Sequence, residues 1–204
     1  MPNFTDITGL AGVACAMAAS LQLLPGMKRL AKTRLAIATA AFFVVVLIPF
    51  SGFPLAAYVR GITGDLSITT MVLLWCAMSG PWVGGGAARS KHRLALLAMI
   101  ALAAVTLYPL ALGFGAFDPY RLGYGNLAFV AALLPVALAA WFWKYYLAAL
   151  CIALATLAWA IGWYESGNLW DYLLDPFVSV YALAAIMVHA AKMLKRPQRS
   201  TAVI

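Results

Sequence analysis

Arg60, Arg121, Glu165, Asp171, Tyr58, Tyr124 and Trp170 are the side chains in this sequence best suited to holding a polar ligand. A guanidinium offers a planar fork of donors that fits phosphate or carboxylate groups. Carboxylates accept or move protons, and aromatic rings present apolar faces with polar rims. All seven fall in short polar stretches between long apolar runs, although only 10% of the chain is charged. The stretch "YVRGITGDLSITT", residues 58–70, places an arginine and an aspartate five residues apart with two glycines between them.

Other acids read as structural. Helix starts carry free N–H groups, and Asp is a strong N-cap residue with Pro favoured just after it. Asp118-Pro119 and Asp175-Pro176 have that form, Asp65 precedes "LSITTMVLL", and Asp6 precedes "ITGLAG". Asp6, Asp65 and Asp175 are therefore expected to cap long helices, and Asp118 a short turn. Arg60, Arg121, Glu165 and Asp171 are left over for a shallow pocket, accompanied by the tyrosines and tryptophans of the same loops.

More specific chemistry finds little support. A haem site needs axial ligands such as paired histidines; His92 sits in the basic loop "ARSKHR" and His189 near the last lysines. Metal sites need clustered His, Cys or carboxylate groups, whereas Cys15, Cys76 and Cys151 lie singly in apolar runs and read as small buried side chains. Ser79 with His189 lacks the surrounding glycine pattern of an intramembrane protease. "WVGGGAARSK" lacks the spacing and preceding strand of a phosphate loop and reads as a helix exit. No cofactor or metal is expected, and the chain is expected to be non-catalytic.

The elements that must position these residues are helices in lipid. The chain is 65% hydrophobic with mean hydropathy +0.93, against about 45–50% apolar in soluble domains. Seven apolar segments run approximately over 5–24, 34–51, 67–86, 94–114, 126–143, 146–163 and 175–191, each near the ~20 residues of a spanning helix. Residues 126–163 contain no Gly or Pro where a turn is needed. One continuous helix there would be about 55 Å long, against a hydrocarbon core of about 30 Å, so a tight hairpin at Lys144 is expected. Residues 53–62 suit a short helix lying at the surface. The start "MPNFTDITGL" has no basic residue before its apolar run, so no cleaved signal is expected.

Charge sorts by side. With the N-terminus outside, all 14 basic residues except Arg60 and Arg121 lie inside, and all six acids lie outside. That is the pattern expected of cytoplasmic loops, and it accounts for the net charge of +8 without nucleic acid. The expected fold is a single all-α polytopic domain over 1–204, a bundle of about seven transmembrane helices, N-out and C-in, in a bacterial-type inner membrane. Its expected partners are membrane lipids and a larger envelope membrane protein.

The expected function is a small non-catalytic subunit with an outward polar and aromatic site, assisting an envelope enzyme or transport complex. One alternative is a transporter or binding subunit for a small amphiphilic or anionic solute. The other is an outer-leaflet lipid-modifying enzyme, with Glu165 or Asp171 as base and Arg121 holding phosphate.

Overall fold

The structure is a computed structural model that describes residues 4–79 and 86–195. Gly84 and Gly85 of the expected helix exit, and Arg196 and Arg199 of the basic tail, lie outside the described residues. The described chain is helical apart from turns and one minimal hairpin. In order, the helices are α1 (Phe4–Leu21), α2 (Lys32–Val45), α3 (Leu55–Thr63), α4 (Ile68–Ser79), α5 (Gly86–Ala111), α6 (Leu127–Phe142), α7 (Tyr146–Ala160), α8 (Leu169–Leu173) and α9 (Pro176–Leu194). Strands β1 (Pro49–Phe50) and β2 (Phe53–Pro54) pair antiparallel, Pro49 with Pro54 and Phe50 with Phe53. Ser51 and Gly52 join them with φ of 55° and 101°; two successive positive φ values mark the tight turn that matches strand twist. This hairpin turns the chain from α2 into the short helix α3.

Two cores hold the bundle. The larger is built from α5, α7, α8 and α9, with Leu97, Ile100, Cys151, Ala155, Leu169 and Tyr172 among its buried residues. Helix α7 is its centre, packing against α4, α5, α6 and α8. Its buried positions are small, Ala148, Ala149, Ala155 and Ala158, so neighbouring backbones can approach closely. The smaller core joins α1, α2 and α3 through Ala14, Val46 and Ala56, with Leu10, Met17, Phe42 and Phe43 against it. Helix α1 links this group to the rest by packing on α4.

Three helices end in the same way. At the ends of α5, α6 and α7 the N–H groups of Phe114, Tyr145 and Trp163 reach back to the carbonyls of Pro109, Ala140 and Ala158, at 3.0, 2.7 and 2.9 Å. This paired-bond termination needs one residue in the left-handed region. Gly113 (φ 91°) and Gly162 (φ 64°) supply it for α5 and α7, but Lys144 (φ 63°) supplies it for α6. The α6–α7 connection is therefore a tight hairpin at Lys144, closed without the glycine that usually marks such a turn.

Among the described residues, α1, residues 90–111 of α5, and α9 are long and apolar enough to cross a bilayer. The helices α4, α6 and α7 are apolar but span only 10–17 residues. At 1.5 Å per residue α6 and α7 fall short of the ~30 Å core, and the terminations just described are what cut them short. The expected segments reached further because apolar residues continue past these caps.

Lys144 offers a direct check. Lys144→Val, a β-branched residue in the left-handed region, is expected to destabilise the bundle by about 1–2 kcal/mol, while Lys144→Asn stays close to wild type. Denaturation in mixed micelles measures both.

Candidate functional site

One end of the bundle gathers the N-termini of α1, α4 and α9, the helices α3 and α8, and the 3-10 turn Pro119–Gly123. Arg60 is the centre of its first network. Its Nε donates to Asp65 Oδ1 at 2.6 Å and its Nη2 to Asp65 Oδ2 at 3.1 Å, a two-pronged grip on one carboxylate. Its Nη1 donates to Asp6 Oδ1 at 3.3 Å, and Glu165 Oε1 lies 3.8 Å from Nη2. The sequence folds this way because α3 stops at Gly64 (φ 70°), whose N–H is bonded to the Arg60 carbonyl at 2.8 Å. The chain reverses there and delivers Asp65 to the arginine it has just passed. Gly9 of α1 lies against the pair: a Cβ there would come within 2.1 Å of Asp65 Oδ1 and 2.6 Å of Arg60 Nε. The pairing with Asp65, and to a lesser extent with Asp6 and Glu165, pushes the Arg60 pKa further above its ordinary value, although partial burial works against this.

Asp175, only 4% exposed, carries the second network. Its Oδ1 accepts from the Val178 N–H at 2.8 Å, at the start of its own helix α9. Its Oδ2 accepts from Ser67 N–H at 2.9 Å, Ser67 Oγ at 2.7 Å and the Thr70 hydroxyl, at the start of α4. Two helix N-termini thus converge on one carboxylate, and both contribute the favourable end of their dipoles. Ser67 in turn accepts from the Thr70 N–H at 3.1 Å and holds the capping position of α4. Asp65, expected there, lies before it and belongs to Arg60 instead. Asp6 lies in the first turn of α1 and joins the same cluster. The Asp118 carboxylate accepts from Tyr120 N–H at 2.9 Å and opens the 3-10 turn.

A third network ties that turn to α8. Tyr120 Oη donates to Asp171 Oδ1 at 2.8 Å, and Ser166 Oγ to Asp171 Oδ2 at 2.5 Å. Asn168, fully buried, donates from Nδ2 to the Tyr120 carbonyl at 3.0 Å and accepts from Trp170 N–H at 2.9 Å. A Cβ on Gly123 would overlap its Oδ1, at 1.6 Å, so only glycine lets the turn come this close. Trp170 Nε1 donates to the Pro119 carbonyl at 3.0 Å, and its ring lies 4.7 Å from that of Phe129. The buried hydroxyl of Tyr172 donates to the Tyr164 and Ser166 carbonyls. Burial raises the phenol pKa values of Tyr120, Tyr164 and Tyr172, and the Asp171 carboxylate pushes Tyr120 up further. At neutral pH all three are protonated hydroxyls.

Two pockets open between these networks. One, about 640 Å³, is lined by Asp65, Tyr108, Tyr120, Tyr164, Glu165, Ser166, Asp171 and Asp175. The other, about 590 Å³, is lined by Asp6, Arg60, Gly64, Asp65 and Glu165 together with Phe53 and Pro54. Asp65 and Glu165 form the wall they share. Of the residues expected to bind a ligand, Arg60, Glu165 and Asp171 are brought together here. Arg121 is exposed on the 3-10 turn and lines neither pocket. Tyr58 packs on Phe53 and donates to the Ser51 carbonyl at 3.4 Å, Tyr124 packs edge-on against Tyr120, and Trp170 serves the α8 network. Tyr108, Ser166 and Asn168 carried no signal in sequence. Tyr108 sits inside an apolar run, and the other two look like ordinary loop residues.

Chemically, the larger pocket offers carboxylate acceptors and phenol hydroxyls. Its Asp175 and Asp171 oxygens are already engaged by neutral donors, while the Glu165 side chain is 62% exposed. Asp175→Ala is expected to free the Ser67 and Val178 N–H groups together and cost about 3 kcal/mol of stability. Asp175→Asn, which keeps an acceptor, costs less, and thermal unfolding in detergent separates the two. Comparison with family models, curated proteins and solved structures found no match for this chain.

Proposed function

We propose that this chain is a seven-span inner-membrane protein, N-out and C-in, acting as a non-catalytic subunit that receives a small solute at its outer end beside a larger envelope protein. What supports the crossing pattern is the separation of charge along the bundle. Asp6, Asp65, Glu165, Asp171 and Asp175 gather at one end, while Lys32 and Arg34 open α2, and Lys192 and Lys195 close α9, at the other. The large exposed apolar side chains, Ile62, Leu112, Phe142 and Leu194 among them, suit lipid as the solvent. Helices shorter than the bilayer are accommodated by local thinning and by interfacial residues such as Trp141, Trp143 and Tyr146.

The observation that carries the functional reading is the larger pocket, walled by carboxylates and phenols around the starts of α4 and α9. Arg60, the cation that would favour an anion, already faces three carboxylates. The site therefore favours a small amphiphilic solute with an ammonium or several hydroxyl groups over an anionic one. The solute-carrier reading uses the same pocket. The lipid-modifying reading has less support, because Asp171 is bonded to Tyr120 and Ser166, and Arg121 lines neither pocket.

Two measurements test this. Reporter fusions at successive loops are expected to place the two termini on opposite sides of the membrane, and finding both on one side ends the topology. In a thermal-shift series, primary amines and polyols are expected to stabilise the purified protein, with the shift reduced in Glu165→Gln. Stabilisation by phosphate or carboxylate compounds instead would reverse the assignment of ligand class.

A further inference from the structure

Away from the acidic end, a groove of about 620 Å³ runs between α1, α2 and α4. Ala11 on α1, Gln22 just after it, Ala36, Ala40 and Phe43 on α2, and Trp75 on α4 are among the residues that line it. From Ala11 to the end of α1 at Leu21 the helix rises about 15 Å, half of the ~30 Å hydrocarbon thickness. The groove thus has the depth of one leaflet. Its far end is polar: Gln22 Nε2 donates to Thr39 Oγ1 at 3.2 Å, bridging α1 and α2. Lys32 lies one turn before Ala36 and two before Ala40, on the helix face that lines the groove. Lys32 is exposed, as are Arg29 and Arg34 on either side of it in the chain. Among the described residues no carboxylate pairs with any of them; the ion pairs there are those of Arg60, at the opposite end of α1.

We propose that this groove holds one acyl chain of an anionic phospholipid, with its phosphate at Lys32. An apolar slot one leaflet deep that leads to an unpaired cation matches a molecule with an apolar tail and an anionic head, and a membrane supplies that molecule in abundance. One cation near such a head is worth about a fivefold preference. The proposal rests on the membrane reading but not on the pocket at the acidic end, and the lipid preference is read in detergent, independent of orientation.

The test uses the full-length protein in detergent with phosphatidylglycerol or phosphatidylcholine bearing the same brominated chains. Trp75, 66% exposed on the groove wall, is the probe, its signal taken as the difference between wild type and Trp75→Phe. Brominated phosphatidylglycerol is expected to quench it at about fivefold lower concentration than phosphatidylcholine. Lys32→Gln brings the two lipids toward parity, and Ala40→Leu, which fills the slot, weakens quenching by both. Equal quenching by the two lipids in wild type overturns the proposal without any variant. So does undiminished quenching in a folded Ala40→Leu protein, or a dimer that Ala40→Leu dissociates, which would assign the groove to a second copy of the chain.

Discussion

A backbone N–H at the start of a helix cannot be left bare away from water, and Asp175 meets that requirement for two helices at once. Its two oxygens serve α9 and α4 separately, so these helices begin at the same depth and at a fixed spacing. The arrangement needs no cation: hydroxyls, N–H groups and two helix dipoles surround the carboxylate. Much of the polar end is arranged around this point. Ser67 holds α4, the short connection from Asp65 to Ser67 is fixed between Arg60 and Asp175, and the larger pocket takes one wall from the same residue.

Arg60 does a different job. It does not order a helix start; it fastens the group of α1, α2 and α3 to the larger core. Its partners come from α1, from the segment before α4 and from the loop after α7. A guanidinium suits this because its donors point in several fixed directions. Gly9 shows how close the fit is, since even a methyl group on α1 would collide with the pair. The acids around Arg60 also change what the site can attract. An arginine facing solvent invites phosphate or carboxylate, whereas one ringed by carboxylates leaves an acceptor-rich surface.

The two ends of the bundle therefore have opposite characters, and both follow from how charges are neutralised. At the acidic end nearly every charge is engaged within the protein, which makes a shaped, hydrogen-bonded pocket. At the basic end Arg29, Lys32 and Arg34 have no protein partner among the described residues, and their counter-charge must come from elsewhere. An apolar slot leads up to Lys32 between α1, α2 and α4.

The sequence alone determined the apolar character of the chain, the places where polar stretches interrupt it, and the need for a hairpin near Lys144, because hydropathy and chain length are local quantities. It also showed that Asp118 and Asp175 precede proline in a form suited to capping. Only the tertiary structure decided which acid serves which partner. In sequence Asp65 reads as the helix starter, and the reversal at Gly64 is what gives Asp65 to Arg60 and leaves the cap to Ser67. Likewise Tyr108 and Asn168 acquire their roles from residues tens of positions away, through the packing of α5 on α9 and of the 3-10 turn on α8, and Ser166 from the fold of the loop that brings it onto Asp171. Arg121 and Arg60 look alike in sequence, and differ because one meets three carboxylates in space and the other faces outward. A hydrogen bond depends on distances of a few ångströms between atoms that chain order does not bring together, and the folded backbone sets those distances.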